Sequence, residues 1–435
     1  MLPDLTPITR KAAADPQCQF TALAHYLNTE FLADTWSRMN PRATAGIDRQ
    51  TVAEFDAQRL IAIPALVAQS QRHQYQAPPV RRIYIPKPGQ PAKLRPLGIP
   101  TVADRLLQAA VARILSAIYE ADFLDSSYGF RPQRSAHDAL ATIERLVATR
   151  PIHWIYEADI RGFFDHLDHA WLERMLRLRI GDPWILRLIG KWLRAPIDDR
   201  GVRTRPTAGV PQGGPSSPIL ANVYLHYVLD LWFDRVVKPR CRGEAHLVRF
   251  ADDFVVLFEE EADAQRMAAA LPRRLAKFAL TVADEKTRLL PFGRRVWAQT
   301  RPVPRTRQTF DFLGFRHVMG TSRRGYFHLV RIPTPKSVRK FYMATKLWMQ
   351  AHRHAPPTLQ QRGLHQRLRG FYQYFGYGTC VPVLSRVRLA VLRAWRQSLH
   401  RRSQRGATSW PDWRRRPWFR LPSPRVTQRS ADYRV

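Results

Sequence analysis

The chain has 435 residues, 45% apolar and 11% aromatic, with 70 Lys and Arg against 35 Asp and Glu, a formal net charge of +35 and a pI of about 11.2. Length and apolar content imply a folded protein of more than one subdomain and exclude a disordered tail protein. The charge calls for a polyphosphate partner, although a generically basic surface is the competing reading, and three scattered cysteines (Cys18, Cys241, Cys380) supply neither a disulfide framework nor a zinc site.

The first residues contain no apolar leader, and no run approaches about 18 uninterrupted apolar residues, so neither a secretory signal nor a membrane span is predicted and a reducing cytoplasmic setting is expected. Residues 1–80 mix short helical patterns with turns and read as an N-terminal extension that includes RATAGID (Arg42 to Asp48). Residues 81–320 alternate strands and helices, giving α+β character. VRRIYIP reads as a strand ended by Pro86, and VADRLLQAAVARILSAIYEADF as a helix with apolar residues three and four apart.

WIYEADIRGFFD places Asp159 at the C-terminal end of a buried strand; the alternative is a helix N-cap, for which Asp168 is the better candidate. TAGVPQGGPSSPILANVYL opens as a Gly- and Pro-rich loop from which Gln212 can reach a sugar or base, or else as a plain turn with Ser217 capping the helix. HLVRFADDFVVLF sets Asp252 and Asp253 between two β-prone runs, the pattern of a hairpin with an acidic tip, and alone it reads equally as a polar turn. If the hairpin meets Asp159, three carboxylates repel one another unless a divalent cation lies between them. Oxygen donors of this kind suit Mg2+, with Mn2+ able to substitute, and two ions about 4 Å apart would activate a 3′-hydroxyl and stabilise leaving pyrophosphate.

Residues 321–400 read as helical, in segments such as SVRKFYMATKLWMQAHRH and LSRVRLAVLRAWRQSLHRR. Residues 401–435 form a Pro-, Arg- and Trp-rich tail that resists regular structure. Tyr372, Tyr374, Phe375, Trp395, Trp410, Trp413 and Trp418 are interleaved with arginines, either to stack on bases or to fill a core. No fixed-period repeat is present.

In order, YIPKPGQPAKLRPLGIPTVADRLLQ, SYGFRPQRSAHDAL, YEADIRGFFD, GVPQGGPSSPILANVYL, RFADD, ADEKT and FDFLGF resemble the successive blocks of bacterial group II intron reverse transcriptases. RATAGID resembles that family's N-terminal extension, and RLRGFYQYFGYG its thumb or maturase region. The resemblance implies a right hand of fingers, palm and helical thumb that adds dNTPs to a primer 3′-hydroxyl on an RNA template. Asp159 and Asp252 would be the principal ligands of two Mg2+ ions, completed by Asp253, and Lys286 would protonate the leaving pyrophosphate. Lys87 and Arg95 would meet the triphosphate, Phe164 would exclude a 2′-hydroxyl, Gln212 would flank the incoming nucleotide, and FDFLGF would grip the primer. Implied partners are an RNA template, the RNA–DNA duplex, dNTPs and a group II intron RNA, with no membrane and no zinc.

Phe250 stands where tyrosine is more usual, and the C-terminal HNH-type nuclease segment of many relatives is not seen. Competing functions are a non-catalytic RNA-binding maturase, an RNA-dependent RNA polymerase, and a domesticated reverse transcriptase in DNA repair or phage defence.

Overall fold

A computed structural model describes residues 4–87, 90–299, 308–322, 324–402 and 409–428; for 87, 90–93 and 414 only the backbone is described. The chain divides into two compact units, one of residues 1–86, 92–139 and 156–289, the other of 87–91, 140–155 and 290–435.

In the first unit the helix Val102–Tyr119 is apolar on nearly all sides and is the core: Val102, Leu106, Ala110, Val111, Ile114, Leu115 and Ile118 have no exposed surface. Thr101 starts it by accepting the Asp104 N–H at 3.2 Å. Helices Thr6–Ala14 and Thr29–Ser37 pack on it. RATAGID is wedged at its start. A side chain at Gly46 would lie 2.6 Å from the Thr101 Cα, and Arg105 Nη2 donates to the Thr44 carbonyl at 2.7 Å.

Eleven strands are described: β1 (Val80–Lys87), β2 (Gln90–Ile99), β3 (Trp154–Asp159), β4 (Ile197–Asp199), β5 (Val202–Thr204), β6 (Ala245–Phe250), β7 (Asp253–Phe258), β8 (Arg288–Pro291), β9 (Thr309–Phe312), β10 (Phe315–Thr321) and β11 (Phe327–Pro333). One sheet has the order β2–β1–β4–β5 and another β6–β7–β3–β8. β1 runs through Pro86 to Lys87 instead of stopping at the proline; it pairs β4 at Val80 and Arg81, so no ladder bond on that side requires a Pro86 N–H. The helix Ser217–Leu225 continues into two wide π turns, His226–Asp230 and Phe233–Val237.

The second unit contains the antiparallel sheet β11–β10–β9, followed by helices Pro335–Ala351, Pro357–Phe375, Val381–His400 and Trp410–Arg415. β11 takes the first residues of the 321–400 segment, which is therefore helical only from Pro335. Most of the interleaved aromatics face inward. Trp395 is fully buried, stacks on Phe419 at 4.9 Å and donates to Gln360 Oε1 at 2.7 Å; Tyr372, Phe375 and Trp413 are buried too. They fill a core and are not free to stack on bases.

The tail wraps rather than trails. Thr427 N–H donates to the Gly376 carbonyl at 2.8 Å, Thr427 Oγ1 to the Tyr372 carbonyl at 3.0 Å, and Gln361 Nε2 to the Arg420 carbonyl at 3.0 Å. The mixed sheets and helices are α+β. Among the described residues no helix is long and apolar enough to cross a membrane.

Candidate active site

Asp159 is the last residue of β3, whose Ile155, Tyr156 and Ala158 are buried while the Asp159 carboxylate is 22% exposed. Beyond it the chain is held by the ADEK segment. Ala283 N–H donates to the Asp159 carbonyl at 2.8 Å, Ile160 bridges Val282, and Arg161 N–H donates to the Thr281 carbonyl at 2.8 Å. That pairing sets the short turn Asp284–Lys286 beside the acid, and Lys286 Nζ donates to Asp159 Oδ2.

Asp252 and Asp253 lie on the β6–β7 hairpin, closed by the pair Phe250 and Asp253. Its two-residue connection begins with Ala251 at φ 56°, a left-handed conformation usually given to glycine. Burial raises the pKa of Asp252 above the usual carboxylate range; its own backbone N–H opposes this, the charge of Asp159 adds to it, and Arg95 and Lys286 oppose it. For Lys286, burial pulls downward, but Asp159, Glu285 and Asp253 outweigh it, and its pKa is raised. Asp159, Asp252, Asp253, Lys286 and Arg95 thus lie within one another's electrostatic reach. Among the described residues no three His, Cys, Asp or Glu side chains are already arranged to hold a metal ion.

Phe164 and Gln212 also come together. Both line a cavity of about 200 Å³ with Arg82, Asp165, Ile197 and Val210. The loop that carries Gln212 is tied by its backbone: Val210 N–H donates to the Phe164 carbonyl at 2.8 Å, Gly209 N–H to the Leu167 carbonyl at 2.7 Å, and Gly98 N–H to the Gln212 carbonyl at 2.8 Å. Gly209 has φ 87°, and a side chain there would meet the Asp165 and Phe164 carbonyls at 2.8 and 2.9 Å.

Asp168 caps the helix His169–Arg177 by accepting the Trp171 N–H at 2.8 Å. Ser217 does not cap its helix: its hydroxyl donates to the Pro211 carbonyl at 2.7 Å, which closes the loop instead. Lys87 has its side chain outside the described residues.

Two supports escape a reading of the residues. His169 Nε2 lies 2.7 Å from the Gly209 carbonyl and anchors the loop. Arg249, without exposed surface, spends all five donors: Nε and Nη2 grip both oxygens of Asp230 at 2.7 and 2.6 Å, Nη1 reaches Asn222 Oδ1 and the Ala251 carbonyl at 3.1 and 3.0 Å, and Nη2 reaches Ser127 Oγ at 2.7 Å. An arginine inside an otherwise apolar strand was the available signal.

The profile of the reverse transcriptase (RNA-dependent DNA polymerase) family matches residues 85–317. Over 208 residues the chain is 43% identical to the group II intron-encoded protein LtrA of Lactococcus lactis subsp. cremoris, covering 46% of this chain and 34% of LtrA, so it spans about a third of that relative's length. Over 369 residues it is 31% identical to the protein YkfC of Escherichia coli K12, covering 76% of this chain and 91% of YkfC. A shorter match, 30% over 95 residues and covering 22% of this chain and 13% of the relative, is to nuclear intron maturase 1, mitochondrial, of Arabidopsis thaliana. With the profile spanning more than half of the chain and YkfC matched along most of its length, the protein belongs to the reverse transcriptase family, of the group II intron type.

Proposed function

We propose that the chain is an RNA-directed DNA polymerase that adds dNTPs to a primer 3′-hydroxyl on an RNA template, in a right hand of fingers, palm and helical thumb. The observation that carries this is the convergence of Asp159, Asp252 and Asp253, from segments about ninety residues apart, on Lys286 and Arg95. Two carboxylates whose charges oppose each other are kept together at a cost that a polar turn alone does not require.

The donor set fits a hard divalent cation: carboxylate oxygens only, partly open to solvent, with the remaining ligands left for water or substrate phosphates. Asp159 and Asp252 would hold Mg2+, with Asp253 beside them, and bound metal would lower the pKa of the 3′-hydroxyl and offset charge on the leaving pyrophosphate. Lys286 leaves Asp159 as that charge is met and hands a proton to the pyrophosphate oxygen. Arg95 pairs with the triphosphate, a task also proposed for Lys87. Gln212 orients the incoming nucleotide over the cavity, and Phe164 closes the sugar side against a 2′-hydroxyl.

Purified chain on a primed RNA template is expected to incorporate dNTPs with magnesium and to lose this in Asp159→Ala and Asp252→Ala. Phe164→Ala is expected to raise ribonucleotide use; unchanged sugar selectivity would remove that residue from the gate.

A second activity, RNA binding of the maturase kind, is favoured by the exposed arginines of the second unit, Arg362, Arg369, Arg386 and Arg393, on helices whose aromatics are internal. Tight RNA binding without incorporation across magnesium and salt titrations would leave that reading alone standing.

A further inference from the structure

The segment SYGFRPQRS, before the helix Ala136–Thr149, follows a path set by the acidic hairpin. Ser127 bridges Arg249 in parallel, Arg249 N–H donates to the Ser126 carbonyl at 2.8 Å, and Tyr128 N–H donates to the Arg249 carbonyl at 2.8 Å. Gly129 then passes so close to the hairpin tip that a side chain would lie 2.5 Å from the Ala251 nitrogen. Asn222 Nδ2 holds the Gly129 carbonyl at 2.8 Å. On the other side Arg131 is buried, donating Nη1 to the Leu124 and Ser127 carbonyls at 2.7 and 2.9 Å and pairing Nε with Glu120 at 3.0 Å.

Between these anchors Phe130 is 55% exposed, and its φ of 58° is a conformation that bulky residues rarely adopt. Its ring lies 6.3 Å from that of Phe250, tilted by 43°. Packing does not account for a large ring left in solvent, and local conformation argues for glycine at this position. Strain of this kind persists where surrounding structure over-determines it, and it clusters at working sites. The neighbouring Ala251 is left-handed as well, so two non-glycine residues in this conformation sit at the tip that carries Asp252.

We propose that Phe130, backed by Phe250, is the stacking face for the nucleobase at the primer 3′ end, an assignment that rests on the polymerase reading above. An exposed aromatic face binds bases without regard to sequence, as a primer site requires. The incoming nucleotide has a different seat, because the cavity that gathers Phe164 and Gln212 includes neither Phe130 nor Phe250. The primer terminus is the substrate that must bring its hydroxyl to the carboxylates, and Phe250 stands directly opposite Asp253 on the hairpin. Phe130 is thus a positioning residue: it fixes the terminal base, and through it the 3′-hydroxyl.

The test uses the full chain and a primer annealed to RNA with 2-aminopurine at the primer 3′ position, without dNTPs. Wild type should change the probe's fluorescence through stacking, Phe130→Leu and Phe130→Gly should lose the change, and Phe130→Tyr should keep it. In steady state the KM for primer–template should rise about five- to a hundred-fold in the Leu variant, the range expected for one stacked base, with kcat little altered. Phe130→Gly should melt at or above the wild-type temperature, because it relieves the left-handed strain. A lowered melting temperature with unchanged primer affinity would mark a purely structural residue and overturn the assignment. So would a Phe130-dependent signal seen only when the probe is placed in the template or in the incoming nucleotide. If the primer probe responds as described while no dNTP is incorporated, the stacking assignment stands and the polymerase reading fails.

Discussion

Arg249 and Asp252 lie three residues apart at one hairpin end and are treated in opposite ways. Arg249 is sealed from solvent with every donor satisfied and a carboxylate held in two-pronged fashion. Asp252 is half-buried, is pushed toward its protonated form first by burial and then by Asp159, and has only longer-range help from Arg95 and Lys286. The first arrangement is closed and serves shape, since a buried pair adds little net stability but costs much when broken. The second is left with unspent negative charge, which is what a site for cations and phosphates requires. The difference separates scaffold from chemistry where sequence distance cannot.

The contrast can be broken from either side. The largest effect is expected from Asp252→Asn, which should cut dNTP incorporation on the order of 10³-fold or more while leaving RNA affinity nearly intact, measured by primer extension and filter binding. Next, Arg249→Met should cost about 3–5 kcal/mol in urea unfolding, because Asp230 is left buried without a partner, and the double change Arg249→Met with Asp230→Leu should recover much of that. Gly209→Ala forces a side chain into the Asp165 and Phe164 carbonyls and should cost about 1–3 kcal/mol while relaxing dNTP over rNTP preference, read from thermal melts and competition assays.

The smallest effect carries the sharpest sign. The folded chain binds a proton at Asp252 more tightly than the unfolded chain does, so its contribution to stability is present below the ordinary carboxylate range and lost as pH rises through the raised value. Without divalent cation, Asp252→Asn should therefore melt about 2–4 °C above wild type near neutral pH, and the gain should fade as pH falls below about 4. A variant less stable than wild type at neutral pH would mean that Asp252 is paired and not repelled.

The acidic hairpin was legible because apolar, β-prone runs flank both aspartates, and the Asp159 strand because its apolar run ends on the acid. Asp168 as a cap followed from its position before an amphipathic helix. What stayed hidden depends on contacts between distant segments. Nothing in PQGGPSSP says that Ser217 turns back to Pro211, that His169 holds Gly209, or that Arg249 chooses Asp230 nineteen residues upstream. The tail misled for a related reason: tryptophans among arginines look like a nucleic-acid surface until tertiary packing turns the rings inward.

The two π turns after Ser217–Leu225 act as phase shifters. An α-helix advances each residue by about 100° around its axis, and a wide turn absorbs one residue more than that winding allows. Deleting a single residue within 226–230 would let the segment rewind, swing everything beyond it by roughly a quarter-turn, and detach the carboxylate of position 230 from its guanidinium. A one-codon loss far from the acids in sequence would thereby unseat the tip on which they stand.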